Sequence, residues 1–114
     1  MFGGYETTLN YQLPENVLQT VMEEAVDRYL AAHHTVFPIK RKELSIELKV
    51  QKSWSGNGEI VVISIQDRAF YLGSRCIEGH QQPILAWAKN WNNVKTLATS
   101  LQDTVSELPN YVAK

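Results

Sequence analysis

The sequence predicts an α+β domain: one strand, a helix, three or four antiparallel strands and a second helix, folded as a two-layer sandwich with a curved antiparallel sheet. Three observations predict it. Hydrophobic residues alternate with period two over residues 5–13, change to a 3.6-residue period over 15–33, and return to period two from residue 44. Turn-forming clusters then divide the β-rich stretch into local hairpins, which makes neighbouring strands antiparallel. A last segment repeats apolar residues in steps of three and four as far as Leu108.

Tyr5, Thr7, Leu9, Tyr11 and Leu13 share one parity, and Glu6, Thr8, Asn10 and Gln12 share the other, the pattern of a half-buried strand. Pro14 stands where a helix begins, since its missing N–H costs nothing at the first helical position, and Glu15 suits the positive end of the helix dipole. Val17, Leu18, Val21, Met22, Ala25, Val26, Tyr29 and Leu30 form one broad apolar stripe over that helix. Pro38 prevents its continuation, and Lys40-Arg41-Lys42 reads as a solvated connection.

Leu44, Ile46, Leu48 and Val50 define the next strand, with Trp54 on the same parity. Ser55-Gly56-Asn57-Gly58 predicts a hairpin turn, because Asn and Gly tolerate positive φ. Residues 60–65 are nearly all β-branched, as expected of a central strand covered on both faces. Gln66-Asp67-Arg68 turns the chain into a strand over 69–77. In the last third, Ile84, Trp87, Trp91, Val94, Ala98, Leu101, Val105 and Leu108 would lie along one side of a helix running from about 87 to 108. Residues 83–88 read equally as a short final strand or as helix, because Asn90, Asn92 and Asn93 suit a helix cap better than a helix interior.

Composition bounds the function. The 114 residues are 44% hydrophobic and 20% charged, which suits one globular domain and is too apolar for a disordered chain. A formal net charge of −1 excludes a polycationic nucleic-acid coat. No apolar run approaches the ~18 residues of a membrane span, and Met1-Phe2-Gly3-Gly4 lacks the basic start and apolar core of a signal peptide. Cys76 is the one cysteine, so no internal disulfide forms, and the reducing cytoplasm is the expected compartment. His33 and His34 would point ~100° apart on a helix, and Cys76 with His80 makes an incomplete zinc set; no metal or other cofactor is expected.

Several segments resemble a family of small uncharacterised bacterial proteins. The matching positions are Tyr5-Glu6-Thr7-Thr8-Leu9 in the opening strand, Ser53-Trp54 before the turn and Ser74-Arg75 in a later strand. The closing motif matches at Trp87, Lys89, Asn90, Asn93 and Val94, with Ala86 where the family pattern has aspartate and Ala88 where it has glycine. The resemblance implies the fold and carries no activity with it. The order of elements is also similar to the TATA-binding-protein-like and START-like helix-grip architectures, in which a curved sheet grips a long C-terminal helix. Folds host unrelated functions, so this analogy implies architecture alone.

Candidate binding residues are Trp54, Trp87, Lys89, Asn90 and Asn93. Trp87 and Trp91 either flank a cleft and stack on a flat or aliphatic ligand, or seal the core where helix meets sheet. Lys89, Asn90 and Asn93 would stand at the start of the last helix, where free N–H groups and an ammonium suit an anionic headgroup; capping and solvation explain them equally. The expected function is therefore a non-enzymatic binding or interaction domain. It would hold a small amphiphilic or hydrophobic ligand between the sheet and the C-terminal helix, or form a homo-oligomer through the sheet. Two alternatives stand beside it. One is a small thiol-dependent enzyme using Cys76 and His80 as nucleophile and base. The other is weak nucleic-acid binding through Lys40-Arg41-Lys42, which the scarcity of aligned cations disfavours.

Overall fold

A computed structural model of the chain describes residues 4–51, 58–77 and 83–108, with side chains of the last segment described from residue 87. Seven elements follow in order: β1 (Tyr5–Leu9), α1 (Glu15–Ala32), β2 (Val36–Lys42), β3 (Ser45–Val50), β4 (Glu59–Gln66), β5 (Ala69–Cys76) and α2 (Pro83–Ser106). The five strands form one antiparallel sheet in the order β1-β5-β4-β3-β2. Both helices pack on the same face, α2 along β5 and β1 and α1 beside it against β4. The two-layer α+β arrangement is thus the one the residue periods imply.

β1 ends earlier than its alternation suggests. Asn10 Oδ1 accepts the Gln12 N–H at 3.1 Å, and Gln12 takes a left-handed φ of 57°, which swings the chain toward Pro14. Tyr11 and Leu13 still point inward, Tyr11 edge-on to Phe70 with ring centres 6.0 Å apart. Pro14 serves as the helix N-cap instead of the first helical residue: its carbonyl accepts from Val17 and Leu18. The stripe of α1 is buried as its spacing requires, with Leu18, Val21, Met22, Ala25, Val26 and Tyr29 in the core.

Two expectations are corrected. Lys40-Arg41-Lys42 is not a solvated connection but the end of the edge strand β2, paired with β3 from Val36↔Val50 to Lys42↔Ser45. Pro38 sits beside a register shift, where a missing N–H is tolerated. Arg41 lies on the helix side and binds Glu23 at 2.6 Å and Asp27 at 3.4 Å on α1. Second, β4 is central, yet among the described residues only one of its faces is covered by helices. Val61, Ile63 and Ile65 are buried under the helices, while Ile60 and Val62 remain half-buried on the open side. Its run of β-branched residues reflects strand preference more than two-sided burial. Of the two readings left open for residues 83–88, the helical one holds: α2 begins at Pro83, at the first helical position. Pro109 lies outside the described residues.

Two turns show their conformational demands. Asp67 and Arg68 both take positive φ, 51° and 62°, closing the β4–β5 hairpin in the tight geometry that matches strand twist. Gly58, the described end of the predicted Gly-Asn-Gly turn, has φ 92°, and a Cβ there would lie 2.1 Å from the Val50 carbonyl oxygen. Only glycine fits.

Candidate functional site

The sheet-facing side of α2 differs in phase from its apolar pattern. Asn90, Asn93, Val94, Leu97, Leu101, Thr104 and Val105 are buried, whereas Trp87 and Trp91 are 47% and 39% exposed. Beyond Asn93 the stripe is apolar apart from Thr104 and packs into the core; at Asn90 and Asn93 two asparagines meet the sheet. The strands opposite carry matching polar residues. Glu59 and Ser74 occupy inward positions of β4 and β5, next in parity to Val61 and Leu72.

These side chains form one buried hydrogen-bonded chain. Asn93 Nδ2 donates to Glu59 Oε1 at 3.0 Å and to Ser74 Oγ at 3.2 Å. The Ser74 hydroxyl donates to Asn90 Oδ1 at 2.6 Å, and Asn90 Nδ2 donates to Cys76 Sγ at 3.5 Å. Glu59 Oε2 alone is buried with no partner among the described residues. A polar group inside a core must be paired to offset its lost hydration, so the cluster locks α2 to one height on the sheet. Burial, and then the nearby charge of Glu59, push the Tyr29 hydroxyl up to about 12.

The predicted binding residues therefore separate. Asn90 and Asn93 lie inside α2 and face the sheet, so neither caps a helix nor stands at its start. Lys89 is half-buried within the same helix, away from any helix N-terminus. Trp87 lies on the flank of α2, stacked on Trp91 with ring centres 6.2 Å apart and meeting the Tyr5 ring edge-on. Lys95 Nζ stands 5.8 Å from the Trp91 ring centre. The tryptophans form an exposed shelf and do not seal the core. Trp54 and Ser53 lie outside the described residues, as does His80, the proposed partner of Cys76. Among the described residues no three His, Cys, Asp or Glu groups come together as a metal site.

A second place was not visible in the periodicity. On the open face of the sheet a hollow of about 500 Å³ lies over Gly73, bounded by Glu6, Ile60, Val62, Tyr71 and Arg75. Register explains it: Glu6 pairs with Gly73, Gly73 with Val62, and Ile60 with Arg75, so the glycine leaves a gap in a continuous row of side chains. Tyr71 leans over that gap. Its hydroxyl would lie 2.9 Å from a Cβ at residue 73, and it donates to Glu6 Oε2 at 2.6 Å. That hydrogen bond, with partial burial, raises the Tyr71 pKa. The signal available in the sequence was a lone Gly73 inside a β pattern, which marks a bulge or a close approach.

No protein-family profile matches the chain, and no curated protein matches it. No helix among the described residues is long and apolar enough to cross a membrane. What is shown is the fold and two differently built places upon it: a buried polar lock under α2 and an open hollow across the sheet.

Proposed function

We propose that this chain is a non-enzymatic binding or interaction domain that works through the uncovered face of its sheet. The observation that carries the reading is one-sided coverage. Both helices serve one face, and the other keeps Ile60, Val62 and Tyr71 half-buried around the Gly73 hollow. Monomeric domains seldom leave an apolar patch with a concavity at its centre unless something occupies it. The space between sheet and α2 is a weaker candidate for a ligand. Its apolar side chains Ile63, Leu72, Leu97 and Leu101 have no exposure, and its polar ones bind one another.

Fragment screening by amide chemical shifts tests this. Small aromatic and amphiphilic fragments find binding hot spots without knowledge of the natural partner. Shifts centred on Glu6, Ile60, Val62, Gly73 and Arg75 are expected. Shifts confined to the Trp87–Trp91 shelf, or none at millimolar fragment, would refute the open-face reading.

A further inference from the structure

We infer that the open face receives an acidic amphipathic segment of a partner protein, whose large apolar side chain enters the Gly73 hollow while its carboxylates meet Lys49 and Arg75. This rests on the open-face reading and adds the chemistry of the occupant. Strand register shows the arrangement. One cross-strand row on this face runs Phe37, Lys49, Ile60, Arg75, and the next runs Lys40, Glu47, Val62, Gly73, Glu6. An apolar centre is thus bracketed by cations on β3 and β5, with Lys40 and Lys42 beyond it on β2.

The two faces treat their cations differently. Arg28 and Arg41, on the helix side, are both neutralised, Arg28 by Glu24 and Glu107 and Arg41 by Glu23 and Asp27. Among the described residues, Lys40, Lys42, Lys49 and Arg75 make no ion pair. Against these four cations the described strands place two carboxylates on the open face, Glu6 and Glu47, and Glu6 is already the acceptor of the Tyr71 hydroxyl. A chain with a net charge of −1 therefore presents a locally positive surface. Complementary potential of this kind selects a negatively charged partner and speeds its encounter.

The apolar centre favours a protein segment over nucleic acid. Nucleic-acid grooves combine a longer line of cations with several free aromatic faces for stacking. Here the hollow is walled by Ile60 and Val62; of the two tyrosines at it, Tyr71 is held by Glu6 and the Tyr5 ring packs against Trp87. The β2 edge is a poor alternative for strand addition. Pro38 has no N–H, and the Val36 N–H already donates to the His33 carbonyl at 3.2 Å. An apolar side chain seated in the hollow, with carboxylates flanking it, uses what this face does offer.

The test is selection of a displayed library of random peptides, each about 18 residues (five helical turns), on the full chain, followed by titration of the enriched peptides. Peptides combining Leu, Phe or Trp with an excess of Asp and Glu are expected to enrich. Their affinity should fall about tenfold or more with Lys49→Glu and Arg75→Glu together, and also with raised salt. Val62→Lys, whose fold is checked by its far-ultraviolet circular dichroism, should abolish binding. Enriched peptides that are neutral or basic, or that ignore the charge reversal while still needing Val62, overturn the acidic partner and leave the open-face reading standing. Peptides indifferent to Val62→Lys, or no enrichment at all, overturn both. A single-stranded oligonucleotide that competes better than the peptides at equal salt overturns the protein-segment assignment.

Discussion

Asn93→Ala is the sharpest perturbation of the buried lock. The Asn93 amide donates to both Glu59 and Ser74, and the three residues are 8%, 0% and 5% exposed, so water cannot replace what is lost. The hydrogen bond to a carboxylate contributes about 2 kcal/mol and the one to a hydroxyl about 1 kcal/mol. Glu59 Oε2 is already partnerless, so removing the donor to Oε1 leaves the whole carboxyl group bare in the core. Breaking a buried polar pair this way costs about 3–5 kcal/mol. For a domain of this size that lowers Tm by ~10–20 °C. Replacing both partners, as Glu59→Met with Asn93→Leu, removes the stranded group as well as its donor. The double variant should lie within about 1.5 kcal/mol of wild type, and so be more stable than Asn93→Ala alone. Urea unfolding followed by circular dichroism at constant m-value measures it. An Asn93→Ala variant within about 1 kcal/mol of wild type would show that this end of α2 is wet, and the argument for a fixed height on the sheet would fail.

Two further outcomes follow from backbone geometry and titration. Gly58→Ala forces a Cβ to 2.1 Å from the Val50 carbonyl at a φ of 92°, so the β3–β4 junction must rearrange; a loss of about 2 kcal/mol or more is expected in thermal unfolding, and a loss below about 0.5 kcal/mol would refute the fit. Tyr29 has a folded pKa raised from 10.0 to about 12, so its neutral form is favoured in the fold; the stabilisation is complete below pH 10 and is lost as pH rises from 10 to 12. Wild type should lose on the order of 2–3 kcal/mol more than Tyr29→Phe across that window, and parallel pH profiles would contradict the assigned burial.

Much of the fold was legible because side-chain period reports secondary structure directly. The 3.6-residue stripe from Val17 to Leu30 could bury only as a helix, and the alternation from Ile46 to Val50 only as a strand. β2 was illegible for the same reason. Val-Phe-Pro-Ile-Lys-Arg-Lys has no clean alternation, and it is a strand because β3 supplies its ladder and Glu23 and Asp27 hold Arg41. Trp87 and Trp91 misled in a different way. Their spacing with Val94 and Ala98 matches one helix side, but helix phase is set by what lies opposite, and Glu59 and Ser74 draw Asn90 and Asn93 inward.

By itself, then, the amino-acid order determined most of the helix and strand segments, β2 and the start of α2 excepted, with the antiparallel succession of the strands it did reveal and most of the apolar core, since these depend on contacts between near neighbours and on burial of like residues together. Only the tertiary structure decided that polar residues on three elements meet under α2, that the described elements leave one sheet face bare, and that Gly73 opens a hollow between an acidic and a basic side chain. Those features join residues far apart in sequence, and periodicity says which residues look the same way without saying what they look at.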